Sequence, residues 1–319
     1  MLQFVSLAVV LASSPLALAA LGKDTLFKNG LTDPLADYYD SIPKPPSSRV
    51  DMPAPDMCIQ HAEGKCDASA VEAVSVKYDD CDVPWTLCRC NDANMSMDTI
   101  VDRFGQLPPG IRSYVGSLIA VHADGPSAGS SGDFITFNGD CNTSVFLHEA
   151  SHSLDQGTSP SQGWTDALGA SSCVPDDYAN SSPAEDFAQV DVLYVYTKRH
   201  GPLPADPSCL QAQLDYMANT PRIRDAEASA TCNADVRPFT LDPPAAPAPE
   251  PAPEPTPTPA PEPAPEPTPT EAPAPPPETP APTPTPVPAP APSQCPAGMR
   301  RRSEKEARRL ARRLAPHRR

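Results

Sequence analysis

From Pro243 to Pro292 roughly every second residue is proline, in alternations such as APAPEPAPEPTPTP. Proline donates no backbone N–H and holds φ fixed, so this run builds neither a helix interior nor a sheet ladder and favours extended polyproline II. It reads as a disordered, semi-rigid spacer, and its interleaved threonines suit O-glycosylation. Folding is thereby confined to residues 20–242, enough for one domain with a sizeable core.

The two ends bound the compartment. Residues 1–19 form a short apolar run closing on Ala17-Leu18-Ala19, the pattern of a secretory signal peptide cut after Ala19. No other segment approaches the roughly 20 apolar residues of a membrane span. The expectation is a secreted, extracellular, soluble protein. The C-terminal tail, residues 293–319, ends in 300-RRRSEKEARRLARRLAPHRR-319. Residues 1–299 hold 14 basic and 38 acidic side chains, so a body of charge −24 carries a tail of +8. Ala307, Leu310, Ala311 and Leu314 would form a narrow apolar stripe on a tail helix. The tail reads either as an attachment to anionic cell-wall polysaccharide or an anionic membrane surface, or as an end with no partner. Nucleic-acid binding conflicts with the signal peptide.

Ten cysteines fit export. Cys58, Cys66, Cys81, Cys88, Cys90, Cys141, Cys173, Cys209 and Cys232 fall in the body and Cys295 beyond it, as expected of a disulfide-bonded domain with one cysteine left over or paired with Cys295. The segment CDVPWTLCRC, residues 81–90, admits a zinc knuckle, but its spacing in an exported chain favours disulfides. Three N-x-S/T sequons stand at Asn94, Asn142 and Asn180, and Asn94 is the preferred acceptor because the other two adjoin the motifs below.

Residues 20–57 are punctuated by proline and read as an N-terminal extension or pro-segment, with compact structure over 58–242. Residues 97–104 and 111–122 carry apolar residues at helical or mixed spacing, and 134–137 (FITF) reads as a short strand bounded by glycines. Residues 145–155 read VFLHEASHSLD. Asn142, Thr143 and Ser144 offer N-caps, Val145, Phe146, Ala150 and Leu154 the apolar face, and Gly157 a stop. The H-E-x-x-H signature therefore lies on a helix. Residues four apart face one way, so His148 and His152 can offer two imidazoles to one zinc ion, with Glu149 beside them as general base.

A catalytic zinc needs a third protein ligand. A glycine at 155 and a histidine at 158 would mark a metzincin, but Asp155 and Thr158 stand there. Asp166, in GWTDALGA, is one candidate; Glu185, in YANSSPAEDFAQ (178–189), is the better one. Ser182, Pro183 and Glu185 also read as a helix cap with a capping-box glutamate, which needs no metal. Asp155, Trp164 and Asp186 are candidates for supporting or cleft positions, whereas His61, His122, His200 and His317 have no spaced partner.

The pairing of LHEASHSLD with YANSSPAEDFAQ, spaced Y-A-x-x-x-x-x-E-x-F-A, resembles the gluzincin zinc metallopeptidases of the anthrax lethal factor type. The layout of a secreted cysteine-bearing domain also resembles the fungal conidiation-specific secreted proteins. The resemblance is specific only from His148 to Gln189. It implies an α+β fold, a mainly helical zincin-like domain with a small sheet, in which His148, His152 and Glu185 bind Zn2+. It implies Glu149 as the base for water attack on a peptide bond and Tyr178 as donor to the oxyanion. Where gluzincins often have an acidic residue this chain has Gln189, whose carbonyl could accept the same histidine bond. The strand at 134–137 would be the edge that pairs with a peptide or protein substrate. The competing account is a catalytically inactive cell-wall or surface-associated protein. A hydrolase of non-peptide amides would use the same residues.

Overall fold

The computed structural model describes residues 20–238. The leader, the proline spacer, the basic tail and Cys295 lie outside the described residues. The chain begins with β1 (Asp24–Thr25), α1 (Ala36–Tyr39), β2 (Ser47–Met52), α2 (Asp56–Ala62), β3 (Val71–Tyr78) and β4 (Trp85–Cys90). Next come α3 (Met97–Gly105), α4 (Pro109–Arg112), β5 (Ser117–Val121), β6 (Ser127–Ser131), β7 (Phe134–Asn138) and α5 (Thr143–Asp155). It continues through α6 (Gln162–Ala170), β8 (Cys173–Val174), α7 (Pro183–Arg199), α8 (Gln211–Asn219) and α9 (Pro221–Ala228).

Six strands form one sheet in the order β2-β3-β4-β5-β7-β6. The first three are antiparallel, β5 and β7 add in parallel, and β6 turns back antiparallel at the edge. β1 and β8 make a separate parallel pair. The class is mixed α+β, and its six-stranded sheet is larger than the small one expected. β5, SLIAV, is buried at every position, a continuous apolar run whose periodicity cannot separate strand from buried helix. β6, SAGSS, has almost no apolar signal at all.

The strand at 134–137 is β7, and it lies between β5 and β6 rather than at the edge. Gly132, at φ +61°, turns the chain so that β6 covers its outer side. The expected edge is therefore displaced by one strand.

The segment before Cys58, expected as an extension or pro-segment, packs into the body. Phe27, Leu31, Leu35 and Tyr39 recur every fourth residue and all enter the main core. Tyr39 Oη donates to Val192 O of α7 at 2.7 Å, and β2 extends the sheet by six paired residues. The flanking prolines masked this pattern in the sequence.

Four disulfides join Cys58 to Cys88, Cys66 to Cys90, Cys81 to Cys232 and Cys173 to Cys209. Segment 81–90 is thus a disulfide cluster and not a knuckle. The Cys81–Cys232 bond ties positions 151 residues apart, which by loop-closure entropy contributes on the order of 5 kcal/mol. Cys141 is buried, with Sγ 3.4 Å from Asn138 O and 3.5 Å from Ser127 O.

Two helices carry the motifs. α5 starts where Asn142 Oδ1 accepts from Val145 N, and it ends at Gln156, whose φ of 41° reverses the chain one residue before Gly157. α7 starts where Ser182 Oγ accepts from Glu185 N, with Pro183 in the first turn. Phe146, Leu147, Ala150 and Leu154 of α5 and Phe187, Val190 and Leu193 of α7 enter one core. Trp164 of α6 fixes the start of α7, donating from Nε1 to Pro183 O at 3.2 Å and packing edge-on against Phe187.

Candidate metal centre

The two helices bring three donor atoms to one point. Glu185 Oε2 lies 3.0 Å from His148 Nε2 and 3.2 Å from His152 Nε2, and the two Nε2 atoms are 3.2 Å apart. The α-helical pitch aligns the histidines. Glu185 caps nothing with its side chain: Ser182 satisfies the amide of Glu185, while the carboxylate turns toward the imidazoles. Asp166 sits on the exposed side of α6, bonded to Gln162, and does not join the trio.

Zinc bonds of roughly 2.0–2.1 Å at tetrahedral angles place ligand atoms about 3.3–3.4 Å apart. The three spacings fall within a few tenths of an ångström of that edge, and the donor set, two imidazoles and a carboxylate, is one zinc takes. The residues fit the ion.

His148 is held from behind. Its Nδ1 is 3.3 Å from Gln189 Oε1, and Gln189 Nε2 donates to Asp176 Oδ2 at 2.8 Å. Because the amide nitrogen faces a carboxylate, the amide oxygen faces the ring, so Nδ1 carries the proton and Nε2 turns its lone pair to the site. Gln189 thus passes to His148 the influence of a buried carboxylate that the motif lacks. Asp176 Oδ1 accepts from Ala179 N at 2.9 Å, and burial still pushes its pKa up. Burial would also raise the Glu185 pKa, but the two imidazoles outweigh it and hold the group well below the usual carboxylate range. Burial works against protonation of His148 and is outweighed by its bond to Glu185 and by the charge of Glu149, so its pKa rises. The cluster therefore favours positive charge at its centre.

Glu149, almost wholly buried, points to the sheet: Ser130 Oγ on β6 shares its one proton between Glu149 Oε2, at 2.9 Å, and the Glu149 backbone carbonyl, at 3.0 Å. Tyr178 precedes a short 3-10 turn, 36% exposed, its ring 5.5 Å from that of His148. Burial and the nearby carboxylates Glu185 and Glu149 raise its pKa, so the phenol stays a donor. Of the other candidates, Asp155 binds Ser159 through both oxygens and Asp186 is buried against Gln213, where burial pushes its pKa to about 8. His61 stacks on Phe134 and His200 pairs with Asp37. Ser130 and Asp176 had no motif to mark them.

Among curated proteins, conidiation-specific protein 13 of Neurospora crassa is 39% identical over 142 residues, covering 41% of this chain and 42% of its own length. The chain thus spans less than half of that relative. No solved structure matches the chain. The family described as conidiation-specific protein Con-13 matches residues 28–233, a span that contains both motif segments and most of the described body. This corrects the gluzincin assignment, which rested on a few letters between His148 and Gln189, whereas the match runs through the core, the sheet and the disulfides. The chain belongs to the conidiation-specific protein Con-13 family.

Proposed function

We propose that this chain binds one zinc ion through His148, His152 and Glu185 and hydrolyses a peptide bond, or a related amide, with Glu149 as general base. The observation that carries the reading is the tetrahedral-edge spacing of the three donors. When bound, zinc supplies a Lewis acid that polarises a carbonyl and acidifies water. Glu149, one residue from His148 and held by Ser130, takes the proton of the attacking water and returns it to the leaving amine. Tyr178 keeps its proton and offers it to the oxyanion from the rim. β6 is the sheet edge beside the site, and its backbone can pair with an extended substrate.

The same reading makes the protein extracellular, with the basic tail holding it to an anionic wall or membrane surface. A second reading, a metal-binding surface protein without turnover, draws support from Glu149, whose carboxylate is buried and already engaged by Ser130.

The test is zinc bound per molecule of the secreted full chain beside Glu185→Ala, followed by a screen of mixed peptide substrates. One tightly held zinc per wild-type molecule, lost or greatly weakened in the variant, is expected on the loss of a ligand. Equal binding by both would sink the site. Zinc without turnover would select the second reading.

A further inference from the structure

The loop between β8 and α7 carries Asp176 and Tyr178, and a segment from the other end of the chain lies along it. Asp24 and Thr25 pair in parallel with Cys173 and Val174, and the register continues with Leu26 N donating to Val174 O and Phe27 N to Pro175 O, each at 2.9 Å. At its other end the segment grips Asn180. Lys23 N donates to Asn180 Oδ1 at 3.0 Å, Asn180 Nδ2 donates to Lys23 O at 2.8 Å, and Leu21 N donates to Asn180 O at 2.8 Å. The Lys23 ammonium bonds Ser171 O, and Leu21 packs on a small apolar cluster of Leu168, Val174 and Ala179. The loop is therefore fastened on both sides of Asp176.

We propose that Leu21–Phe27 is a positioning strap for the metal centre and that Asn180 is its clasp. Asp176 anchors Gln189, and Gln189 sets the His148 ring. An undocked strap leaves residues 174–180 without these bonds, Asp176 loses its fixed place, and His148 loses the constraint that holds Nε2 toward the trio. The strap lies just ahead of residues 28–233, the span matched by the family. The consequence for metal affinity rests on the zinc reading; the mechanical coupling does not.

The experiment compares the full chain with Asn180→Ala, which removes two bonds at a half-buried surface position, and with a second variant, Leu21→Ser, which unseats the strap while leaving every loop residue unsubstituted. Backbone hydrogen exchange over 174–180, the His148 tautomer by nitrogen NMR, and zinc affinity are read on each. Loss of two hydrogen bonds is expected to speed exchange in the loop on the order of tenfold. Both variants should also let His148 sample the other tautomer and bind zinc roughly 10-fold more weakly, the low end of the range for a supporting contact. Exchange that rises in the loop while the His148 tautomer stays fixed would overturn the proposal, as would a loop unaffected by either variant. If even the wild type bound no zinc, the function would fail while exchange and tautomer still decided the strap.

Discussion

Gln189 Oε1 lies 3.3 Å from His148 Nδ1, on the side of the ring away from Glu185. The glutamine is a two-sided adaptor: it accepts from the imidazole and donates to Asp176, so the ring is oriented by a carboxylate it does not touch. Supporting contacts of this kind commonly set 10–100-fold in metal affinity.

Gln189→Leu should therefore weaken zinc binding about 10–100-fold, with the ligands intact. It also leaves Asp176 buried without its side-chain donor, so the apo-protein should lose roughly 1–3 kcal/mol. Competitive chelator titration and thermal unfolding measure the two effects separately. Unchanged affinity would show that the ring is held by packing alone.

Glu149→Gln keeps the shape of the side chain and an oxygen for Ser130 Oγ while removing the proton acceptor. Any peptide hydrolysis should fall about 10²–10⁴-fold, the usual contribution of a general base, with zinc content unchanged. A variant that lost its zinc would place Glu149 in the coordination shell.

Asp191 on α7 is wholly buried, and burial pushes its pKa to about 7 against the Ser151 hydrogen bond, helped by Glu227. Its second oxygen has no partner among the described residues. A carboxyl whose folded pKa exceeds its unfolded value binds the proton more tightly in the fold, so stability falls as pH rises between about 4 and about 7. Asp191→Asn removes that loss. Its unfolding free energy should exceed wild type by on the order of 1–3 kcal/mol at pH 8 and by little at pH 4. Denaturant melts at the two pH values give the answer; a gain of the same size at both would assign it to packing.

The three sequons are not equivalent in the fold. Asn94 is exposed and uses Oδ1 to accept from Ala123 N, which a glycan on Nδ2 leaves intact. Asn142 is the cap of α5, and Asn180 spends Nδ2 on Lys23 O. Chain secreted from a eukaryotic host should carry its N-glycan at Asn94, with Asn142 and Asn180 unmodified. Glycopeptide mass spectrometry reads this directly, and full occupancy of Asn180 would mean that the strap does not dock in the secreted protein.

What could be read along the chain was local chemistry. Helix pitch puts His148 and His152 on one face; Ser182 and Pro183 begin a helix; the proline run excludes a core; the cysteines call for cross-links. Each follows from residues a few positions apart or from composition, where backbone geometry alone decides. Even the choice of Glu185 over Asp166 came from a motif and not from distance. The tertiary structure decided what depends on contacts far apart in sequence. Which way the Glu185 carboxylate turns, which cysteines pair, that β6 and not β7 forms the edge, that Ser130 meets Glu149, and that Asp176 stands behind Gln189 are all set by packing across the sheet and between α5 and α7. Such contacts leave no periodic trace, because a serine in a small-residue strand or an aspartate in a loop looks the same in sequence whether it faces water or a buried glutamate.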